Sequence, residues 1–330
     1  MITNGANGAV FVFQGQVIDA NPRAASSWRT RTAMTDFDTP IDLHIHSSFS
    51  EDADYPVDAI FAMAHESGVS VISITDHDSV ESIPVALSLT GAHPVRYVPG
   101  VELTTMFPRD GSQQHVLGYF VDPDNRRLQE TLTGIRTLRT VIAQRRIDAL
   151  RGLGFALDNE RVWQRTGGRA PAATSIIIEV FENDANRSDQ RLAEYFGGPK
   201  ESDRIINFYR EYFGHGAAAY VPFDSIGIDE GIDCIHAAGG VAVLAHPVFV
   251  RNRDWLDEIA SMGLDGIEAI STYHTAEDIS YYLGFAERRA LAVTAGSDFH
   301  GPTSKPLITI GGVTGNHYRY FEELAARVRR

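Results

Sequence analysis

Six stretches of this chain couple a short apolar run to a histidine, aspartate or glutamate, and that recurrence restricts the fold more than any other feature. The first is IDLHIHSSFSED, residues 41–52, where His44 and His46 stand at i and i+2 behind an apolar run. An extended strand sends alternate side chains to one side, so both imidazoles face the same way and can chelate one metal ion. The SSFS turn then brings a carboxylate back towards them, either Asp52 or its neighbour Glu51. VSVISI runs into Asp76, His77 and Asp78; VRYVPGVEL closes with Glu102; QHVLGYFVD carries His115. GVAVLAHP ends in His246, and LAVTAGSDFHG ends in Asp298 and His300.

The segments between these runs have apolar residues at helical spacing: VDAIFAMAHESGV, SVESIPVALSL, IDEGIDCIHAAGG and AEDISYYLGFAERRA. GLDGIEAIS supplies a seventh strand. Strands alternating with helical or inserted sequence predict a parallel sheet with helices outside, and barrel closure puts the strand ends on one face. Residues 123–221 interrupt the rhythm. They hold a long helical segment with Arg136, Arg139, Arg145 and Arg146, then the turn-rich TGGRAPAA and a polar, helix-like region ending at FYREYFGHG. This reads as a mostly helical cap inserted between strands four and five, which leaves residues 41–122 and 222–330 to the barrel. The arginines read either as a solvated helix face or as cations that steer phosphate. Residues 1–40 read as an extension expected to be poorly ordered, in which only AVFVFQGQVI suggests a strand or hairpin.

Composition narrows the function. In 330 residues, 43% hydrophobic content suffices for a large α/β barrel. No run of about eighteen apolar residues and no basic-then-apolar leader occurs, so neither a membrane span nor a secretory signal is expected. The single cysteine, Cys234, excludes an intramolecular disulfide, fits a reducing cytoplasm, and reads as a buried small hydrophobe in a helix. A net charge of −14 argues against a long electropositive groove for duplex nucleic acid. A small or short anionic substrate needs local positive charge, and bound divalent metals are the strongest source of it. Imidazole and carboxylate without thiolate suit Zn, Mn or Fe at a hydrolytic site, in numbers beyond what one ion binds.

DLHIHSSFSED, ITDHDSV, PGVELTT, HVLGYF, LAHP and GSDFHG, in this order, resemble the motifs of the PHP (polymerase and histidinol phosphatase) superfamily, over residues 41–306. AGGVAVLAHP, TAGSDFHG and the long insertion are most similar to its bacterial phosphoesterases of 3',5'-bisphosphonucleotides, including those that trim short oligoribonucleotides. The resemblance implies a distorted (β/α)7 barrel with three divalent ions, Mn, Zn or Fe. It implies that His44, His46, Glu102 and Asp298 hold the first ion, Glu102, His115 and His246 the second, and Asp52, His77 and His300 the third, with Glu102 bridging. The attacking water would be acidified by cations and held through this ligand set, Glu102 and Asp298 included, with no side-chain nucleophile. Consistently, the chain has no GxSxG elbow, P-loop or dinucleotide fingerprint.

Around that set, Asp76 and Asp78, which flank His77, read as hydrogen-bond partners that fix a ring rather than as ligands. His65, His93, His236 and His317 read as surface or packing residues. Relatives commonly carry a GRPH-like sequence in the cap, whereas this chain reads GGRAPAA, so Arg169 matches and the histidine is absent. Arg169 is a candidate phosphate fork, and His274, in STYHT, a candidate substrate contact. The expected reaction is hydrolysis of a 3',5'-bisphosphonucleotide to AMP and phosphate. The expected partner is a small phosphorylated nucleotide or a short oligonucleotide end, not a long duplex and not a membrane. The alternatives are a phosphatase of histidinol phosphate or another small ester, and a metal-loaded binding or regulatory module.

Overall fold

Runs such as VISI and VAVL are apolar throughout, which suits strands covered on both faces. In the computed structural model they belong to one seven-stranded sheet whose order follows the sequence. The structure describes residues 10–13, 16–19, 40–313, 315 and 317–328. The expectation of poor order for residues 1–40 lies outside the described residues, apart from a hairpin of β1 (Val10–Phe13) and β2 (Gln16–Asp19), which pair antiparallel. The sheet comprises β3 (Ile41–Ile45), β4 (Val71–Ile74), β5 (Arg96–Phe107), β6 (Ser112–Tyr119), β7 (Val241–Leu244), β8 (Gly266–Ser271) and β9 (Ala292–Gly296). It closes where the Asp298 amide donates to the His44 carbonyl and the His46 amide to the Phe299 carbonyl, both at 2.8 Å.

Helices α1 (Val57–Glu66) and α2 (Ser82–Leu89) follow β3 and β4, and α7 (Ile228–Ala237), α8 (Leu256–Ser261), α9 (Ala276–Arg289) and α10 (Tyr318–Ala325) cover the second half. Cys234 is buried on α7, as its helical setting suggested. Among the described residues, no helix is long and apolar enough to cross a membrane.

The barrel is not parallel throughout. β6 runs antiparallel to both β5 and β7, because a tight turn joins β5 to β6 as a hairpin. An antiparallel neighbour needs no helical crossover, so the expectation of a parallel sheet with helical or inserted sequence after each strand fails at this point. Reversal also decides where His115 goes. Opposite Thr104 in the register, it sits at the same end as Glu102 although it comes early in its strand.

The return from β6 to β7 runs through α3 (Arg126–Gly152), α4 (Asn159–Arg165), α5 (Ala173–Glu182), α6 (Arg204–Phe208) and a π-helical turn, Tyr209–Phe213. Leu128 and Leu132, early on α3, pack into the barrel core. Ala143, Ile147 and Leu150, later on the same helix, pack into a second apolar cluster with Phe155, Ile176 and Phe208. One 27-residue helix thus belongs to both cores.

Asp42 ties the barrel seam. It is fully buried, and its carboxylate accepts from the amides of Ser297 (2.9 Å), His44 (3.3 Å) and Gly311 (2.8 Å), joining β3, the end of β9 and the C-terminal segment. Asp42→Ala leaves these three donors without that acceptor, at about 1–3 kcal/mol for each buried group. Thermal unfolding of the variant should therefore fall by at least several degrees. An unchanged midpoint would remove Asp42 from this role.

Candidate metal centre

The end of the barrel carrying the candidate ligands converges on one carboxylate. Glu102, on β5, is fully buried, and its Oε2 lies 3.3 Å from His44 Nε2, 3.1 Å from His46 Nε2 and 3.0 Å from His77 Nδ1. Its Oε1 lies 2.9 Å from His115 Nδ1 and 3.1 Å from His246 Nε2. Asp298 Oδ1 completes the first group, 3.4 Å from His44 Nε2 and 3.2 Å from His46 Nε2. Metal–ligand bonds of about 2.1 Å place neighbouring ligand atoms roughly 3.0–3.4 Å apart in octahedral or tetrahedral geometry. The spacings match.

Three groups have ligand atoms close enough to share an ion: His44, His46, Glu102 and Asp298; His77, Glu102 and His115; and His46, His77 and His300. Fit to a cation is also visible in what these atoms lack. His44 Nε2, His46 Nε2, His77 Nδ1, Glu102 Oε2, Asp298 Oδ1, His300 Nε2 and Asp52 Oδ1 are all buried with no hydrogen-bond partner among the described residues. Buried polar atoms are seldom left so, and a cluster of them facing one another suits a bound cation.

Three of the rings, those of His44, His46 and His300, are turned by a contact at the other nitrogen. His44 Nδ1 lies 2.9 Å from Glu268 Oε1, and His46 Nδ1 lies 3.1 Å from Ser50 Oγ, which in turn donates to Asp76 Oδ1. His300 Nδ1 lies 3.0 Å from the Asp298 carbonyl. Such contacts fix the tautomer and leave the remaining nitrogen free to ligate. Backbone conformation serves the same end: His246 (φ 25°) and Asp298 (φ 59°) occupy left-handed conformations that L residues seldom adopt. At Gly296 a Cβ would come within 2.3 Å of His44 Cβ, so only glycine lets β9 approach so closely.

Burial alone would raise the Glu102 pKa, yet His115, His44 and His77 hold it well below the usual carboxylate range. Burial likewise opposes the shift at Asp298, which Lys305, His44 and His300 hold well below its ordinary value. Against the effect of burial, Glu102, Glu268 and Asp298 raise His44 well above the ordinary imidazole value, and Glu102 brings His77 to about 9. Burial lowers His115, and burial with the neighbouring His46 lowers His300. Protons and divalent ions therefore compete for the same atoms, and acid should expel the metal.

The structure separates the two acidic neighbours in the SSFS turn. Asp52 Oδ1 faces His300 Nε2 at 3.5 Å, whereas Glu51 accepts from Arg139 Nη1 at 3.1 Å. Asp76 reaches a ring only through Ser50, whose hydroxyl contacts His46 Nδ1, and Asp78 contacts Thr104 and Arg139 instead of a ring. Asp76 accepts from the Ser47 amide and from the hydroxyls of Ser47 and Ser50, so it shapes the turn. Asp78 accepts from Thr104 and from Arg139 Nε and Nη2. Arg139 is accordingly no solvated cation: it clamps α3 to the strand ends.

Arg169 is exposed and donates to the Ser48 carbonyl, beside the same turn. His274 Nδ1 lies 3.0 Å from the Ala269 carbonyl, and its ring lies 4.8 Å from that of Tyr282 on α9. Its neighbour Tyr273 instead reaches the centre, donating to Asp298 Oδ2 at 2.7 Å, where Lys305 also binds. Glu268, Tyr273 and Lys305 were not singled out in the sequence. A lone acid inside the apolar run GIEAIS is the one signal that pointed to any of them.

The comparisons place this barrel, with histidines and carboxylates gathered at its strand ends, among known proteins. The PHP domain family matches residues 42–161. It is 27% identical over 79% of its length to the phosphoribosyl 1,2-cyclic phosphate 1,2-diphosphodiesterase of Eggerthella lenta, covering 94% of that protein. It is 26% identical to the 3',5'-nucleoside bisphosphate phosphatase of Chromobacterium violaceum (79% of this chain, 87% of the relative) and to the 5'-3' exoribonuclease Rnm of Escherichia coli (84% and 90%). Among solved structures, a metal-dependent phosphoesterase from Bifidobacterium adolescentis shares the fold with a TM-score of 0.71 at 23% identity, over 88% of this chain and 96% of that one.

Glu268 offers the sharpest test of how the centre is supported. It holds His44 Nδ1 and accepts from the His246 amide at 2.7 Å, yet stands in none of the three groups of candidate ligands. Glu268→Gln keeps the volume and removes the charge, and should weaken metal binding about 10- to 100-fold without unfolding the barrel. Equilibrium dialysis against Mn or Zn reads this directly. Unchanged affinity would show that Glu268 does not set the His44 tautomer.

Proposed function

We propose that this chain is a metal-dependent hydrolase of phosphate esters whose substrate is a phosphomonoester of a small nucleotide. The reaction is conversion of a 3',5'-bisphosphonucleotide to a nucleoside monophosphate and phosphate, with the ends of short oligoribonucleotides as further substrates. The observation that carries this reading is the convergence of buried, unpartnered imidazole and carboxylate atoms on Glu102. Three divalent ions held there, Mn, Zn or Fe, would acidify water near neutral pH and offset the charge of phosphoryl oxygens.

The chain's own residues supply position and charge. Glu102 offers one oxygen to each side of the centre, and Tyr273 and Lys305 engage Asp298 Oδ2, which leaves Oδ1 facing His44 and His46. The rim open to solvent is formed by His77, His115 and His246, whose side chains are 12%, 16% and 11% exposed, whereas His44, His46 and Glu102 are fully enclosed. We assign residues 41–122 and 222–330 to the barrel and residues 123–221 to a cap beside that rim.

With Arg139 committed to Asp78 and Glu51, Arg169 is the cap arginine best suited to a second phosphate. The names of the bisphosphate phosphatase and the exoribonuclease among the relatives support a nucleotide substrate over histidinol phosphate. A purely regulatory metal module would have no need of so large a ligand set.

A substrate with phosphates at both ends gains one charge-assisted contact, worth about 1.5–3 kcal/mol. The metal-replete protein should therefore hydrolyse 3',5'-bisphosphoadenosine with kcat/KM roughly ten- to a hundredfold above that for 3'-AMP, and Arg169→Ala should narrow the gap. Steady-state assays with histidinol phosphate and phosphoribosyl 1,2-cyclic phosphate beside them complete the test. Equal values for the bisphosphate and 3'-AMP would refute the two-phosphate reading, and preference for either of the other esters would replace it.

A further inference from the structure

The rim of the centre carries an aromatic ring that the chemistry described so far does not use. Phe249 is 54% exposed, more than any other phenylalanine, tyrosine or tryptophan among the described residues. It does not hang from a loose loop. It closes the 3-10 turn Pro247–Phe249 directly after His246, with its amide donating to the His246 carbonyl at 3.1 Å, and the next side chain, Val250, is anchored in the core.

Its ring stands edge-on to the His246 imidazole at 5.1 Å between centroids, and 5.1 Å from Tyr273. Tyr273 in turn donates to Asp298. One exposed ring is therefore fixed, through two aromatic neighbours, to residues on two sides of the centre. It lies next to His246, a member of the solvent-facing rim, on the side where substrate must enter.

We propose that Phe249 is the stacking platform for the nucleobase of the substrate. The inference rests on reading the centre as a nucleotide phosphoesterase, and it adds that the base itself is recognised. The occupant must be flat, apolar on its faces and attached to a phosphate held a few ångströms away, which describes a purine or pyrimidine nucleotide. Stacking needs only a π-face, so this contact tolerates any base, as trimming of mixed-sequence ends would require. Phosphoribosyl esters without a base gain nothing from it. Exposure of the ring in the free protein leaves it ready to pair with a base, at the cost of the burial free energy a core phenylalanine would have.

The test is binding of product by the full-length, metal-loaded protein, followed by calorimetry with AMP and with ribose 5-phosphate, so the result does not depend on turnover. Wild type should bind AMP at least tenfold more tightly than ribose 5-phosphate. Phe249→Ala should lose roughly ten- to a hundredfold in AMP affinity and erase that preference. Phe249→Leu, apolar but without a ring, should not restore it, whereas Phe249→Trp should, with indole emission quenched on addition of AMP beyond any change in wild type. Retention of the AMP preference in Phe249→Ala, or equal affinity of wild type for the two ligands, would overturn the proposal. Failure of the phosphoesterase reading would appear separately, as absence of phosphate release from every ester in the turnover panel.

Discussion

A charged carboxylate buried at the end of a barrel is costly unless cations surround it, and Glu102 is such a group. Both its oxygens are taken: one faces His44, His46 and His77, the other His115 and His246. Five rings from four different chain segments depend on its position. Glu102 itself is placed by strand pairing, since its amide donates to the Asp76 carbonyl and its carbonyl accepts from the Asp78 amide. The backbone of the ITDHD motif therefore sets the central ligand as well as presenting His77. The same segment reaches the cap, because Asp78 holds Arg139 of α3. Barrel closure, ligand geometry and cap docking meet within a few residues of one carboxylate.

Much of this was legible in the sequence because most of the candidate ligands follow a run whose burial is dictated by composition alone. His44 and His46 share a side through strand periodicity, and His246 and Asp298 follow strands that are buried throughout. Direction of β6 was not legible, since an apolar run reads the same in a parallel or an antiparallel neighbour, and the hairpin turn before it resembles any polar loop. Supporting contacts were harder still. Glu268, Tyr273 and Lys305 act across the barrel on residues far away in the chain, and no local spacing records that. Arg139 shows the limit of helix-face reasoning: it lies on a polar helix, yet its partners Asp78 and Glu51 come from two other segments. Asp52 and Glu51 could not be ranked from adjacency, and the side to which each turns separated them.

The segment between β6 and β7 has an apolar cluster of its own. Its long helix shares the barrel core at one end and a separate apolar cluster at the other, so cap and barrel are held at a defined separation while the rim beside His77, His115 and His246 stays open.

The central claim is that Glu102 is shared between neighbouring metal ions, and anomalous diffraction from crystals grown with manganese tests it most directly. The account predicts one anomalous peak bounded by His44, His46, Glu102 and Asp298, a second bounded by Glu102, His115 and His246, and a third beside Asp52, His77 and His300, with the first two contacting opposite oxygens of Glu102. A single peak, or peaks that leave Glu102 outside the coordination of every ion, would contradict it.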